Sequence, residues 1–462
     1  MIADPEATVS GKERAGQIHI VYGGDKGTFL LSQDSPNVSD GAEEGDQFGF
    51  SYAVYDANLD GCSDIAVGIP FEDVGTVQDA GLVHLVYGST TGVTGGTSSI
   101  GFRQGSDGKL AGGYEAEDWV GYAVAAGRSA TNIPFLVIGA PGEDGGEGKD
   151  MGMFHYVYGV GYDVAHVAQD STGVWEDPEP NDRFGASIAA TDRHFVVGAP
   201  GESTATSTGN REFAGGVVAF RPSINTYGIP DPLFGMGQGR TGTGDTTAQT
   251  DDQYGAALAM APYRPAGATS NTDSLLAVGV PGEDLAGTVD AGAVHTYHIK
   301  ADGTVTPLRW IDQNQPGVEE RPSPATSSAG GSPPSTPPRP RPARPPPCAW
   351  PSASPARRTP RSSPRRAACR SCRCSATPAP VTYGSRPATA SRPPSGPPHA
   401  PRPRHRREPH RAVRRRPLRT RREPGRPRLP VEHPDGGAPS RTWRPGEGGI
   451  PAENSAFGAL LS

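Results

Sequence analysis

Ala66-Val67-Gly68-Ile69-Pro70 is a short apolar strand ending in a Gly-x-Pro turn. It recurs as Val137-Ile138-Gly139-Ala140-Pro141, Val196-Val197-Gly198-Ala199-Pro200 and Ala277-Val278-Gly279-Val280-Pro281, and a degenerate copy, Met1-Ile2-Ala3-Asp4-Pro5, opens the chain. Self-similarity at a fixed period marks a repeat architecture, so this echo decides the fold. Upstream of each full copy an acidic residue leads into an aromatic-Gly or apolar-Gly pair: Asp46-Gln47-Phe48-Gly49, Asp118-Trp119-Val120-Gly121, Asp182-Arg183-Phe184-Gly185 and Asp252-Gln253-Tyr254-Gly255. Downstream lies a strand of the form Ala-Gly-x-apolar-His, at Ala15 to His19, Ala80 to His84 and Ala291 to His295, with Met151 to His155 and Ala214 to Val218 as variants. A Gln-bearing strand closes each unit, near Gln33, Gln104, Gln169, Gln238 and Gln313.

Each unit thus offers four short strands in about 65–70 residues, which is what a propeller blade needs: a small twisted sheet whose two faces are covered by its neighbours. Burial on both faces explains why runs such as Leu82-Val83-His84-Leu85-Val86-Tyr87 are nearly continuous in apolar residues instead of alternating. Composition agrees. The 63 Gly and 49 Pro, with 7% aromatics, describe a turn-rich chain, and no long helical periodicity appears. The expected class is all-β, with units near residues 1–40, 41–110, 111–175, 176–245 and 246–320.

The pairing of Phe48-Gly49 with Gly68-Ile69-Pro70, and of Phe184-Gly185 with Gly198-Ala199-Pro200, resembles the FG-GAP repeats of the integrin α-subunit head and of secreted bacterial-type FG-GAP repeat proteins. The resemblance covers residues 1 to about 320. It implies a seven-bladed β-propeller type, incomplete in this chain, with about 4.5 recognisable blades. It further implies an extracellular, non-catalytic role in binding or adhesion, with a protein or carbohydrate ligand that the sequence does not name. One alternative is a propeller region accessory to a secreted hydrolase whose catalytic part is missing here.

Between the first two strands of the second unit runs Asp56-Ala57-Asn58-Leu59-Asp60-Gly61-Cys62-Ser63-Asp64. Oxygen side chains at loop positions 1, 3, 5 and 9, with Gly after the third for a sharp turn, can surround a hard cation that takes about 6–8 oxygens. An acidic Asx-turn without metal uses the same residues. By the family resemblance Asp56, Asn58, Asp60 and Asp64 would be side-chain ligands of Ca2+, and Cys62 would give its backbone carbonyl. The matching spans 125–135, 189–195 and 260–275 hold only scattered acids, so one ion is expected, as a structural clip between strands.

His19, His84, His155 and His295 share one repeat phase, which points to a common packing role and not to a metal centre. No Ser-His-Asp order or Gly-x-Ser-x-Gly turn stands out. Glu72, Glu143, Glu202 and Glu283 each follow a Gly-x-Pro turn by two residues, and the stretches 40–46, 115–118 and 176–182 are acidic too. The resemblance puts these on one rim, an acidic face that serves either solvation or the binding of a basic partner or further cations.

Charge is segregated along the chain. Residues 1–320 hold 15 Lys and Arg against 44 Asp and Glu, whereas residues 321–462 hold 28 Arg, no Lys and 6 acids. From Arg321 the chain is rich in Arg, Pro, Ala and Ser, too poor in apolar residues for a core, and expected to be disordered. A native basic tail binding nucleic acid through residues 339–428 is one reading, but the change is abrupt and nucleic acid is not the expected partner. Phe48 and Phe457 lie 409 residues apart, six repeats of about 68, so residues 321–445 read as two blades translated out of frame. Residues 446–462 then read as the remnant of a last FG repeat. Four of the five cysteines fall in this region, Cys348, Cys369, Cys372 and Cys374, without a second ligand pair spaced for zinc. No apolar run reaches the ~18 residues of a membrane span. The chain starts without a secretory signal, and Met1 reads as an internal start that has lost one by truncation.

Overall fold

The computed structural model describes residues 1–315, apart from 24–25, 107, 147, 240–246 and 286. The Arg/Pro-rich stretch 321–445, the 446–462 remnant and the count of seven blades lie outside the described residues.

The described chain is all-β, as the repeats predict. The first sheet has three strands, β1 (Ile2–Asp4), β2 (Gln17–Val21) and β3 (Thr28–Leu31). Four-stranded sheets follow: β4 (Ser51–Tyr55), β5 (Asp64–Ile69), β6 (Leu82–Val86) and β7 (Ile100–Phe102), then β8 (Val124–Arg128), β9 (Pro134–Ala140), β10 (Met153–Tyr158) and β11 (Asp163–Val167). The fourth sheet is β12 (Ser187–Ala190), β13 (Phe195–Ala199), β16 (Gly216–Ile224) and β17 (Pro230–Met236). A small hairpin, β14 (Thr204–Thr206) and β15 (Gly209–Arg211), interrupts it. The fifth is β18 (Ala257–Tyr263), β19 (Asp273–Val280), β20 (Ala293–Ile299) and β21 (Val305–Asp312). Neighbouring strands pair antiparallel throughout, the up-and-down order of a blade.

Two details depart from the sequence reading. The closing strands end before their glutamines: β3 stops at Leu31, β7 at Phe102, β11 at Val167 and β17 at Met236, two residues short of Gln33, Gln104, Gln169 and Gln238. The β14–β15 hairpin was not foreseen. It grows from a one-bridge turn that the other units carry at the same place, Val9 with Lys12, Val74 with Val77, Gly145 with Gly148 and Leu285 with Thr288.

No unit has a core of its own. The four apolar clusters each lie between successive sheets: Ile18, Leu31, Phe48 and Val67 pack units one and two; Leu85, Phe102, Val120 and Leu136 units two and three. Phe154, Phe184, Phe195 and Phe220 pack units three and four, and Val217, Tyr254, Val278 and Tyr297 units four and five. The second strands β5, β9 and β13 are buried along their full length, as two-sided burial requires. Phe195 stacks on Phe220 at 5.0 Å and meets Phe154 edge-on at 5.8 Å, contacts that add about 0.5–1.5 kcal/mol each beyond area burial.

The aromatic-Gly pair is the seam between units. The N–H groups of Phe48, Val120, Phe184 and Tyr254 donate to the carbonyls of Ala15, Ala80, Met151 and Ala214 in the preceding unit, at 2.9–3.1 Å. The next residues there, Gly16, Gly81, Gly152 and Gly215, have φ of +80° to +83°, and a Cβ on any of them would lie 2.3–2.4 Å from the backbone of the crossing residue. Only glycine permits that approach, which is why the Ala-Gly step recurs.

Candidate metal site

The loop 56–64 joins β4 to β5 beyond their last pair, Tyr55 opposite Asp64. Leu59 and Gly61 take positive φ of 61° and 86°, which curls the loop around its own oxygens. The Asp56 carboxylate accepts from the N–H of Asp60 and of Gly61, both at 3.1 Å; Asn58 Oδ1 accepts from Asp60 N–H at 3.0 Å; Asp60 Oδ1 accepts from Cys62 N–H at 2.7 Å. That last N–H holds the Asp60 carboxyl below its ordinary range. Asp64 is buried and accepts from Ala57 N–H at 2.9 Å and from Gly88 N–H at 2.8 Å, so it ties the loop to the end of β6. Burial raises its carboxyl despite those donors.

The donor chemistry fits a hard divalent ion: three carboxylates, one carboxamide and the Cys62 carbonyl, all oxygen, within nine residues. The side-chain conformations do not gather them. Among the described residues no three Asp, Glu, His or Cys side chains converge as metal ligands, because each acid of the loop is turned to a backbone N–H. A cation does already touch the loop. Arg128, at the end of β8 in the next unit, donates Nη2–H to Asp56 Oδ2 at 2.7 Å.

The equivalent hairpins lack the acids but keep parts of the frame. In unit five, Asp273 opens β19 as Asp64 opens β5, and accepts from Ala301 N–H at 3.2 Å while facing His298 Nε2 at 2.7 Å. In unit four, His194 Nδ1 lies 2.9 Å from Ser274 Oγ, a contact the sequence did not suggest. It is no nucleophile and base in waiting, since Ser274 and His194 are 0% and 1% exposed.

Three of the four phased histidines are core residues. His84, His155 and His295 are buried opposite Val67, Ile138 and Val278, the same register in three sheets, and His19 is half-buried. Burial lowers the first two to about 4 and about 3, so both are neutral.

The glutamates after the Gly-x-Pro turns are not the rim the sequence implied. Glu72, Glu202 and Glu283 are buried and Glu143 half-buried, each accepting from the closing glutamine of the preceding unit: Gln33 to Glu72 at 2.8 Å, Gln104 to Glu143 at 2.6 Å, Gln169 to Glu202 at 2.7 Å, Gln238 to Glu283 at 2.6 Å. The lead-in acids Asp46, Asp118, Asp182 and Asp252 are buried beside them, and each accepts from the N–H three residues back at 2.5–2.6 Å. Asp40, Glu43, Glu44, Glu115, Glu117 and Glu179 remain exposed in the loops between units. Sequence reasoning found every one of these residues but could not pair them, because donor and acceptor belong to different repeats.

Residues 48–86, which include the loop, match the FG-GAP repeat family. Over 162 residues the chain is 28% identical to phosphatidylinositol-glycan-specific phospholipase D of Bos taurus, a stretch covering 34% of this chain and 18% of that protein. The protein of the same name from Rattus norvegicus is 32% identical over 96 residues, 20% of this chain and 11% of that one; the Homo sapiens protein is 27% identical over 162 residues, with 34% and 18% covered. The chain therefore spans less than a fifth of the length of these relatives. A crystal structure of a mutant of AofleA from Arthrobotrys oligospora aligns with 60% of this chain at 8% identity, with a TM-score of 0.15, too distant to bear on the fold.

Proposed function

We propose that this chain is an extracellular, non-catalytic binding propeller of the FG-GAP type whose second unit holds one Ca2+ in the loop Asp56–Asp64. The observation that carries the reading is the donor set itself: five oxygen ligands, Asp56, Asn58, Asp60, the Cys62 carbonyl and Asp64, in one nine-residue turn inside the matched repeat. The ion supplies charge and a fixed strand-to-strand clip. The chain's residues do the rest: Asp64 anchors the loop to Ala57 and Gly88, Gly61 allows the turn, and the exposed acids between units offer a negative surface to a protein or carbohydrate ligand.

Isothermal titration of the full chain with Ca2+ tests this. One ion per chain is expected, and none after Asp60→Ala, a substitution at an exposed side chain that leaves the strands alone. No binding heat in the parent, or the same heat in the variant, would overturn it. The likeness to the phospholipase D relatives favours a second reading, in which the propeller serves a hydrolytic domain elsewhere in a longer protein.

A further inference from the structure

The seams between units repeat a set of buried acids that the calcium loop does not use. Each of the four joints holds one Asp and one Glu from the following unit and one Gln from the preceding unit, with the Gln amide N–H bound to the Glu. Seven of their remaining oxygens are stranded. Oδ1 of Asp118, Asp182 and Asp252, and Oε1 of Gln33, Gln104, Gln169 and Gln238, are buried without a hydrogen-bond donor. Seven such acceptors in equivalent places are no packing accident, since leaving one unmet costs about 1–3 kcal/mol.

Among the described residues the pairs are surrounded mainly by other acids. Glu72 faces Asp46, Asp40 and Glu43, and Arg103 lines the same cavity of about 220 Å³. Around Glu143 stand Asp118, Glu115 and Asp144; around Glu202 stand Asp182, Glu176 and Glu179. The pair Asp252 and Glu283 faces Asp251, Asp284 and Asp312. Two carboxylates withdrawn from water among further acids cannot both stay ionised. A proton on the pair removes one charge and turns one acceptor oxygen into an O–H donor, which is what the stranded oxygens lack.

We propose that a proton held on the Asp–Glu pair closes each joint, so that successive units are latched at acidic pH and loosened as the protons leave. Burial first, and the neighbouring carboxylates second, raise Glu72 to about 8, Glu143 to about 7 and Glu202 to about 8; burial raises Glu283 to about 7. Asp118, Asp182 and Asp252 rise to about 6, about 7 and about 8, mainly through burial. Because these folded values lie above those of an unfolded chain, the latches contribute in full below the ordinary carboxyl range. Their contribution fades as pH rises through about 6 to 8. Above that range the proton passes to water, leaving two carboxylates together in the following unit and no O–H to meet the Gln carbonyl across the seam.

Hydrogen exchange on the full chain, corrected for the intrinsic effect of pH, reads the latches directly. The amides of Gln47, Phe48, Trp119, Val120, Arg183, Phe184, Gln253 and Tyr254 cross the seams. Their protection is expected to fall about tenfold or more between about pH 6 and pH 8.5, while β9 and β13 hold theirs. In the variant combining Glu72→Gln, Glu143→Gln, Glu202→Gln and Glu283→Gln, a neutral carboxamide replaces the protonated acid and protection persists at the higher pH. If that variant does not fold, Glu202→Gln alone should spare Arg183 and Phe184 while the other three seams still open. Unchanged protection in the parent, or equal loss in the variants, would overturn the proposal.

Discussion

At Gly68 one methyl group is a test of how the units meet. A Cβ there would sit 2.1 Å from the Gly121 carbonyl oxygen and 2.2 Å from Ser51 Oγ, the two atoms that already share a 2.7 Å hydrogen bond across the seam. Gly68→Ala must therefore push the units apart, and the expected loss is about 1–3 kcal/mol of unfolding free energy by urea denaturation, the usual range for overpacking. The Gly-x-Pro step was visible in the sequence as a repeat, but not its cause. What makes glycine obligatory at Gly68, Gly139 and Gly198 is the backbone of the next unit, at Gly121, Gly185 and Gly255, and no single repeat contains both sides.

Among the elements, the β4–β5 loop shows the same limit. Its oxygen ligands were legible because they follow one another within nine residues; Arg128 was not, lying 72 residues from Asp56 on the neighbouring unit's first strand. The guanidinium, 40% exposed, competes with any ion for the Asp56 carboxylate. A pair this open is worth about 0.2–1 kcal/mol. Arg128→Ala should then tighten Ca2+ binding by no more than about fivefold, read by the same titration that tests the loop. Weaker binding in the variant would mean that Arg128 supports the loop instead of competing for it. The strand repeats themselves were legible from apolar runs and turn residues. The positions of Gln33, Gln104, Gln169 and Gln238 past the strand ends were not, because what fixes them is a glutamate in the next unit.

For the molecule as a whole, the same placement of the core between sheets sets opposing pH dependences. The joint acids lose their contribution as pH rises through about 6 to 8. The buried histidines act in the other direction. Burial lowers His84, His194 and His295 to about 4 and His155 to about 3, below the ordinary imidazole value, so their neutral forms contribute in full above about pH 6.5. That contribution is lost as pH falls toward about 4, where folding would have to hold charged imidazolium in the core. Among the described residues neither ring nitrogen of His84 or His155 has a hydrogen-bond partner, so no acceptor would meet the added proton there. The two slopes oppose each other between about pH 4 and 6.5, and above about pH 6.5 only the acids' slope remains, so the midpoint of thermal unfolding of the full chain should decline from about pH 6.5 to pH 8. His155→Leu, which removes no hydrogen bond, should raise the midpoint below about pH 6.5 relative to its value above and leave that decline unchanged, whereas Glu202→Gln should shrink the decline. A midpoint that keeps rising from about pH 6 to pH 8 would show that exposed charges, and not the buried groups at the seams, govern the stability of this fold.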